Sequence, residues 1–319
     1  MMFVVTGGAG FIGSVIIAKL QQAGLMPISV IDDLGSGEKW RNIAKRHLHD
    51  IVPIDRGLSF LAGLKDATII HMGARTSTTD NDTEALAETN VRLTSSLFEL
   101  CAARRWPFVW ASSAAIYGTK ADAPTGVDLG ALRPLNPYAW SKLAAEKAIS
   151  ERVRSGFEPP MWVGLRLFNI YGPNEEHKGD QMSFVSKCFE AIRMGEPIKL
   201  FRGSDRFMRD WVYVDDVGDL VIAMLGDPAM RIKSGVYDVG TGSAVSFSDV
   251  AATCIDAANK AVGLEWIQFP EALYGRYQAM TRANTASLET ALPGLSGLQA
   301  GAVRYWKDYA SKEGLARHP

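Results

Sequence analysis

The chain has 319 residues, of which 47% are hydrophobic and 22% charged, with a formal net charge of −1. That is the composition of a globular protein with room for a sizeable core and two domains, and its near-neutral charge excludes the electrostatic footprint of a nucleic-acid or acidic-membrane binder. An anionic ligand must therefore be held by a local cluster. Cys101, Cys188 and Cys254 lie far apart without metal-ligand spacing and read as buried thiols of a reducing compartment. No apolar run approaches membrane-spanning length, and the chain opens at once into a strand without a basic leader, so the expected compartment is the cytoplasm.

Along the chain, short apolar runs at residues 3–6, 28–31, 68–71, 108–111 and 161–167 predict buried strands. Helical spacing over 11–23, 84–105 and 138–154 separates them. Runs without polar alternation indicate strands covered on both faces, as in a parallel sheet with crossover helices. After about residue 170 the order is less regular. Strand-like 211–214 and 236–239 alternate with helices near 217–225 and 247–259, and a last helix is predicted near 300–311. The expected class is α/β, a Rossmann-type doubly wound parallel sheet with a smaller mixed α/β substrate domain. The nucleotide-binding domain is expected over residues 1–168, with segments at about 211–240 returning to it, and 169–319 as mainly substrate domain. No repeat or long linker divides the two, so they are expected to interleave.

"VVTGGAGFIGS" sets Gly7, Gly10 and Gly13 three apart, between the first strand and the first helix. A second strand then ends in Asp32 and Asp33, about twenty residues on. Glycine spacing alone also fits a tight turn; strand, glycine turn, helix and acidic strand end together make the dinucleotide-binding arrangement. The glycines let backbone approach a pyrophosphate, and the helix N-terminus offers free N–H groups. Asp32 suits the ribose hydroxyls of NAD, whereas Lys39 and Arg41, with Arg56, suit a 2′-phosphate and NADP. Both cofactors stay open at this point.

"WASSAAIYG" carries Ser112, Ser113 and Tyr117 at a predicted strand end. Twenty-five residues after Ser113, "NPYAWSKLAAEK" supplies Tyr138 and Lys142 four apart, on one face of a helix. A neighbouring ammonium favours a phenolate, so Lys142 is expected to lower the pKa of Tyr138 while Ser113 holds the substrate oxygen. By these residues, and by "RLFNIYGP" (166–173) and "RDWVYVDDV" (209–217), the chain resembles the extended short-chain dehydrogenase/reductase superfamily. Most members act on nucleotide sugars. The dehydratases of that superfamily carry an acidic pair just after the serine or threonine, and here Ala114 and Ala115 stand there, which argues against dehydration.

"GARTSTTDND" (73–82), "GPNEEHKG" (172–179), "KLFRGSDRFMRDWVYVDDV" (199–217) and "GRYQAMT" (275–281) follow in order. Together they resemble the ADP-L-glycero-D-manno-heptose 6-epimerase family, from Met2 to the last helix. The resemblance implies oxidation at carbon 6 of an ADP-heptose and hydride return to the opposite face. It makes Tyr138 and Lys178 the two acid/bases, with Ser113 and Lys142 assisting. Residues alone leave Lys178 as a surface charge, a phosphate clamp or a proton carrier; a lysine desolvated near Arg209 and other cations would suit the last. The resemblance further places Phe11, Ile12, Met72, Gly73, Ala74, Arg75, Thr76, Asn90, Lys142 and Ile170 at the cofactor. Asn169, Phe201, Arg202, Gly203, Ser204, Arg209 and Tyr277 fall at the substrate, with Asp180 and Lys187 beside it.

The chain departs from the pattern at Asp180 (usually serine), Lys187 (usually histidine) and Arg75 (usually small). An aspartate near a substrate phosphate needs a compensating cation such as Lys187. The resemblance also implies one tightly held NADP or NAD per subunit and a homo-oligomer, pentameric in the matching family. A UDP-sugar 4-epimerase, needing no second base, and a non-catalytic NAD(P)-sensing protein are the competing readings.

Overall fold

A computed structural model gives the structure of residues 1–120, 123, 126–226, 232–271, 275, 277–286 and 294–310. The Ser311 end of the last predicted helix and Arg276 of the Gly-Arg-Tyr-Gln element lie outside the described residues. The seven-stranded sheet is built from β1 (Met2–Thr6), β2 (Ile28–Ile31), β3 (Asp50–Val52), β4 (Ala67–His71), β5 (Phe108–Ser113), β6 (Trp162–Leu167) and β10 (Gly235–Val239), in the order β10-β6-β5-β4-β1-β2-β3. Every pairing in it is parallel. The chain therefore winds outward from β1 through β2 to β3, then crosses back to begin again at β4. The reversal leaves a crevice beyond the carboxyl ends of β1 and β4, the place where open α/β sheets bind ligands.

Alternation along each strand explains the expected parallel class. Val5, Ile70, Val109 and Val163 face a core shared with Ile16, Ile17 and Leu20 of α1 (Phe11–Gln22) and with Val217 and Val221 of α7 (Val214–Gly226). Val4, Ile69, Phe108, Trp110 and Trp162 face the other side, against Leu97 and Phe98 of α4 (Leu93–Arg104) and Ile149 of α5 (Pro137–Arg154). Both faces are apolar because both are covered.

A third core gathers Tyr171 of β7 (Asn169–Tyr171), Phe189 of α6 (Phe184–Met194), Tyr213 of β9 (Met208–Tyr213), Cys254 of α8 (Phe247–Ala258), and Tyr305 and Trp306 of α9 (Leu298–Ala310). Two small sheets lie here: β11 (Ala244–Ser246) with β9 and β7, and β12 (Leu264–Ile267) with β8 (Ile198–Phe201). Cys101, Cys188 and Cys254 are free and buried, as expected. Among the described residues no helix is long and apolar enough to cross a membrane.

Four features differ from the sequence expectation. β3 is a three-residue edge strand with two exposed positions, too short to show a pattern. β9 begins at Met208, because Arg209 and Asp210 are strand residues whose charges are buried. The helix expected over 84–105 is interrupted: α3 (Thr83–Leu86) and α4 flank a π-helical stretch, Ala87–Arg92, in which Asn90 is fully buried. Of the later segments expected to return, α7 packs on α1 and β10 pairs with β6, while Trp211–Tyr213 pairs instead with β7.

The third core leaves no room at Gly301. A Cβ there would overlap the Tyr171 hydroxyl, whose ring is held by Tyr213 and Tyr305. Gly301→Ala is predicted to destabilise the protein by about 1–3 kcal/mol through overpacking. Urea unfolding would show this as a lower midpoint at unchanged slope, and an unaltered midpoint would contradict the packing described.

Candidate active site

The glycine turn is required by close backbone approach. Gly7 has φ +67°, and a Cβ on it would stand 2.5 Å from the Cα of Gly73. A Cβ on Gly13 would overlap the Gly7 carbonyl oxygen. No side chain caps α1 at Gly10, and its first turn carries no acid, so its leading N–H groups remain for an anion. Gly7, Gly10, Phe11, Ile12 and Gly13 line a cavity of about 450 Å³ with Asp32, Asp33 and Lys39 from beyond β2 and Met72, Gly73, Ala74, Arg75 and Thr76 from beyond β4. The predicted cofactor residues thus meet in one place, with three exceptions. Ile170 packs beside Phe11 and Val15, while Asn90 and Lys142 are buried and do not line the cavity.

Both ribose candidates are joined in one pair. Lys39 Nζ donates to Asp32 Oδ1 at 2.5 Å and to the Asp33 carbonyl at 3.0 Å, and Ala9 N donates to Asp32 Oδ2 at 2.9 Å. Arg41 is paired with Glu38, and neither it nor Arg56 lines this cavity.

Asn136 Oδ1 caps α5 by accepting from Ala139 N at 2.8 Å, and Pro137 presets the first turn. That start buries Tyr138, with Ser113 at the end of β5 near enough to favour its ionised form. One turn on, Lys142 Nζ donates to the Ala111 carbonyl at 2.9 Å. The expected depression of Tyr138 is not found. Burial pushes its pKa up, opposed by the neighbouring Ser113 hydroxyl, and the Lys142 ammonium is engaged with backbone instead. Burial lowers Lys142 itself to about 8, against the pull of Glu146.

Two buried networks, which sequence reasoning missed, hold this helix. Glu146 accepts from Arg166 Nη2 at 2.7 Å and from Ser112; Arg166 Nη1 donates to Tyr117, whose hydroxyl donates to Asp238 at 2.5 Å. Removing one partner of such a pair leaves a bare buried charge, costing about 3–5 kcal/mol. In the second network, Thr94 Oγ1 donates to the Asn90 carbonyl at 2.8 Å and so must accept from His71 Nε2 at 2.9 Å. His71 Nδ1 lies 2.5 Å from Thr6 Oγ1, and in the neutral ring it accepts from that hydroxyl. Burial and the Lys142 charge hold His71 down at about 3. The Asn90 side chain clasps the Arg75 backbone and Ser141, and Ser141 Oγ donates to the Tyr138 carbonyl. A lone histidine at the end of a predicted strand was the available signal.

Lys178 also lines the cavity of the glycine turn, beside His177. Its Nζ lies 5.0 Å from the Phe11 ring centroid and 3.0 Å from Glu175 Oε2. The expected cationic surroundings are therefore replaced by a carboxylate. Arg209 is elsewhere, with its guanidinium 4.6 Å from the Tyr277 ring and 5.7 Å from that of Phe247.

A second cavity, about 450 Å³, is lined by Lys187, Phe201, Ser204 and Tyr277 together with Phe184, Phe207 and Phe247. Ser204 Oγ is buried in the residues described without a hydrogen-bond partner. Arg202 is exposed and Gly203, at φ +84°, forms the turn before Ser204; neither lines the cavity, nor does half-buried Asn169 on β7. Asp180 is exposed and lines neither cavity, and Lys187 Nζ meets its carbonyl at 2.6 Å instead of its carboxylate. The anticipated charge swap is thus a backbone contact.

Lys142 gives a pH dependence of known sign. Between pH 8 and 10.5 the unfolded chain holds a proton that the folded chain has released, so this group's destabilising contribution fades as pH rises. The difference in stability between wild type and Lys142→Met is predicted to change by about 2 kcal/mol between about pH 7.5 and 9.5, wild type gaining. Urea midpoints at the two pH values measure it, and a constant difference would count against the burial of this ammonium.

With this geometry in hand, comparison with known proteins is informative. A protein-family model, the NAD dependent epimerase/dehydratase family, matches residues 3–240. The ADP-L-glycero-D-manno-heptose-6-epimerase of Fusobacterium nucleatum is 34% identical, over 98% of this chain and 99% of its own. Among solved structures, the ADP-L-glycero-D-manno-heptose-6-epimerase of Helicobacter pylori matches with a TM-score of 0.79 at 26% identity, over 97% of this chain and 96% of its own. The UDP-glucose 4-epimerase of Thermus thermophilus, solved with NAD, matches with a TM-score of 0.78 at 26% identity, over 98% and 100%. The chain belongs to the NAD-dependent epimerase/dehydratase family, and within it groups with relatives named ADP-L-glycero-D-manno-heptose-6-epimerase.

Proposed function

We propose that the protein interconverts ADP-D-glycero-D-manno-heptose and ADP-L-glycero-D-manno-heptose by oxidation at carbon 6 and hydride return to the opposite face. One observation carries this reading beyond the family name. Lys178 lines the cavity of the glycine turn, from a different element than the Ser113–Tyr138 pair. Rotation about an exocyclic carbon–carbon bond presents either face of the ketone, but it also turns the oxygen away from the first acid/base. A second proton carrier must then stand in another direction, and Lys178 is the candidate.

The cavity fits a dinucleotide, because its glycines occupy positions that a Cβ would block and the α1 N-terminus is uncapped. A bound nicotinamide supplies reversible hydride acceptance. We read it as NADP, tightly held, one per subunit: Lys39 suits a 2′-phosphate, while its partner Asp32 would suit NAD. Tyr138, oriented by Ser113, exchanges the proton of one epimer, and Lys178 that of the other. Lys142 serves the ribose. Phe201, Ser204 and Tyr277 receive the ADP portion, with Arg209 offering its pyrophosphate a forked donor. Residues 1–168 with later returning segments form the cofactor part, and 169–319 mainly the substrate part. A cytoplasmic homo-oligomer, pentameric as the resemblance implies, completes the reading.

Purified protein without added cofactor, given ADP-D-glycero-D-manno-heptose in deuterated water, is predicted to form the L-glycero epimer without deuterium at carbon 6 by NMR. Protein that carries cofactor yet forms no product would overturn the substrate. Lys178→Ala is predicted to lose about 100-fold or more in turnover with cofactor retained. Wild-type turnover in that variant would favour the UDP-sugar 4-epimerase reading, which the Thermus thermophilus match keeps in view.

A further inference from the structure

Glu175 is fully buried, yet its carboxylate accepts five hydrogen bonds. Oε1 receives Gly172 N at 3.3 Å, Ser183 Oγ at 2.7 Å and Ser186 Oγ at 2.8 Å. Oε2 receives Ser183 N at 2.7 Å and Lys178 Nζ at 3.0 Å. Four of the donors are neutral: Gly172 N follows β7, and the other three are fixed by the start of α6, where Ser183 caps the helix by accepting from Ser186 N. Ser186 is fixed in turn by the Tyr305 hydroxyl of α9 at 3.1 Å. The carboxylate cannot swing toward another cation, and among the described residues Lys178 is its sole ion partner.

Besides Glu175, the turn of Lys178 carries Glu176, and the other neighbouring elements present the following groups. From α1 it meets the uncharged Phe11 ring. From α6 the nearby cation, Lys187, is turned to the Asp180 carbonyl. His177 on its own turn contacts Asn42 at 3.2 Å. Across the shared cavity, Asp32 is paired with Lys39, Asp33 accepts from Ile54 N, and Arg75 is paired with Asp80.

We propose that Glu175 is the positioning residue for Lys178, holding its ammonium at the cofactor cavity, where it exchanges a proton with substrate. The inference rests on the reading of Lys178 as the second acid/base. In the donating direction a Lys178 N–H bond breaks, the electron pair stays on nitrogen, and the proton joins the substrate alkoxide to form a hydroxyl. In the reverse direction the neutral amine takes that proton back.

The test is the pH–rate profile of cofactor-loaded Glu175→Gln in both directions. Glu175→Gln takes away the carboxylate that faces the ammonium. The alkaline limb of the donating direction and the acidic limb of the reverse should both move down by about one pH unit or more. Glu175→Asp, which keeps the charge but draws it back, should move them less in the same direction. A residue that merely supports the fold would lower activity or melting temperature with both limbs in place, and that result would overturn the proposal.

If Glu175→Gln fails to melt cooperatively, Glu175→Asp decides: displaced limbs support the proposal and unmoved limbs reject it. Lys178→Ala, assayed alongside, separates the two readings. Full turnover in Lys178→Ala defeats the role of Lys178 itself. An inactive Lys178→Ala with an unmoved Glu175→Gln profile defeats the inference about Glu175 alone.

Discussion

At the tips of β1 and β4 two backbones pass so closely that a Cβ on Gly7 would lie 2.5 Å from the Cα of Gly73. Only glycine satisfies both this approach and the positive φ of Gly7. The approach follows from the register, in which Thr6 stands opposite His71 on the adjacent parallel strand. Above this point the chain leaves β1 in one direction and β4 in the other, opening the cavity that every cofactor argument uses. The α1 N-terminus is aimed there because the glycine turn is too short to point it elsewhere.

The same spot is tied to the chemistry by hydrogen bonds. Thr6, His71, Thr94 and Asn90 form a buried line from β1 to the π-helical stretch, and Asn90 reaches Ser141 on the helix that carries Tyr138 and Lys142. From the other side, Glu146 and Arg166 anchor that helix to β6. Buried polar networks of this kind are rigid when each member is satisfied. They place the Ser113–Tyr138 pair without relying on flexible loops, whereas Lys178 rides on a turn held by one buried carboxylate.

Much of this could be read in the residues. Apolar strands without alternation, the glycine turn and the four-residue spacing of Tyr138 and Lys142 each reflect local geometry, and local geometry is written in local sequence. What escaped the reading depends on long-range partners. Arg209 and Asp210 hid a strand because their charges are buried by residues remote in the chain: Tyr277 beside the first, Thr241 and Ala283 around the second. Glu175 sits three residues before Lys178, a spacing that carries no sign of depth; its burial comes from α6 and α9. The Tyr138 expectation erred for a similar reason, since spacing reveals a neighbouring lysine but neither the depth of burial nor the Ala111 carbonyl that engages it.

On the proposed reading, two proton carriers of different chemistry flank one hydride-transfer site, and each serves a single epimer. The most direct measurement follows the transient reduction of bound cofactor by absorbance, in Tyr138→Phe and in Lys178→Met, with each epimer supplied separately. The account predicts complementary failures: each variant reduces its cofactor with one epimer and not with the other, and the two variants are opposite in which they accept. Loss of reduction with the same epimer in both variants would contradict it.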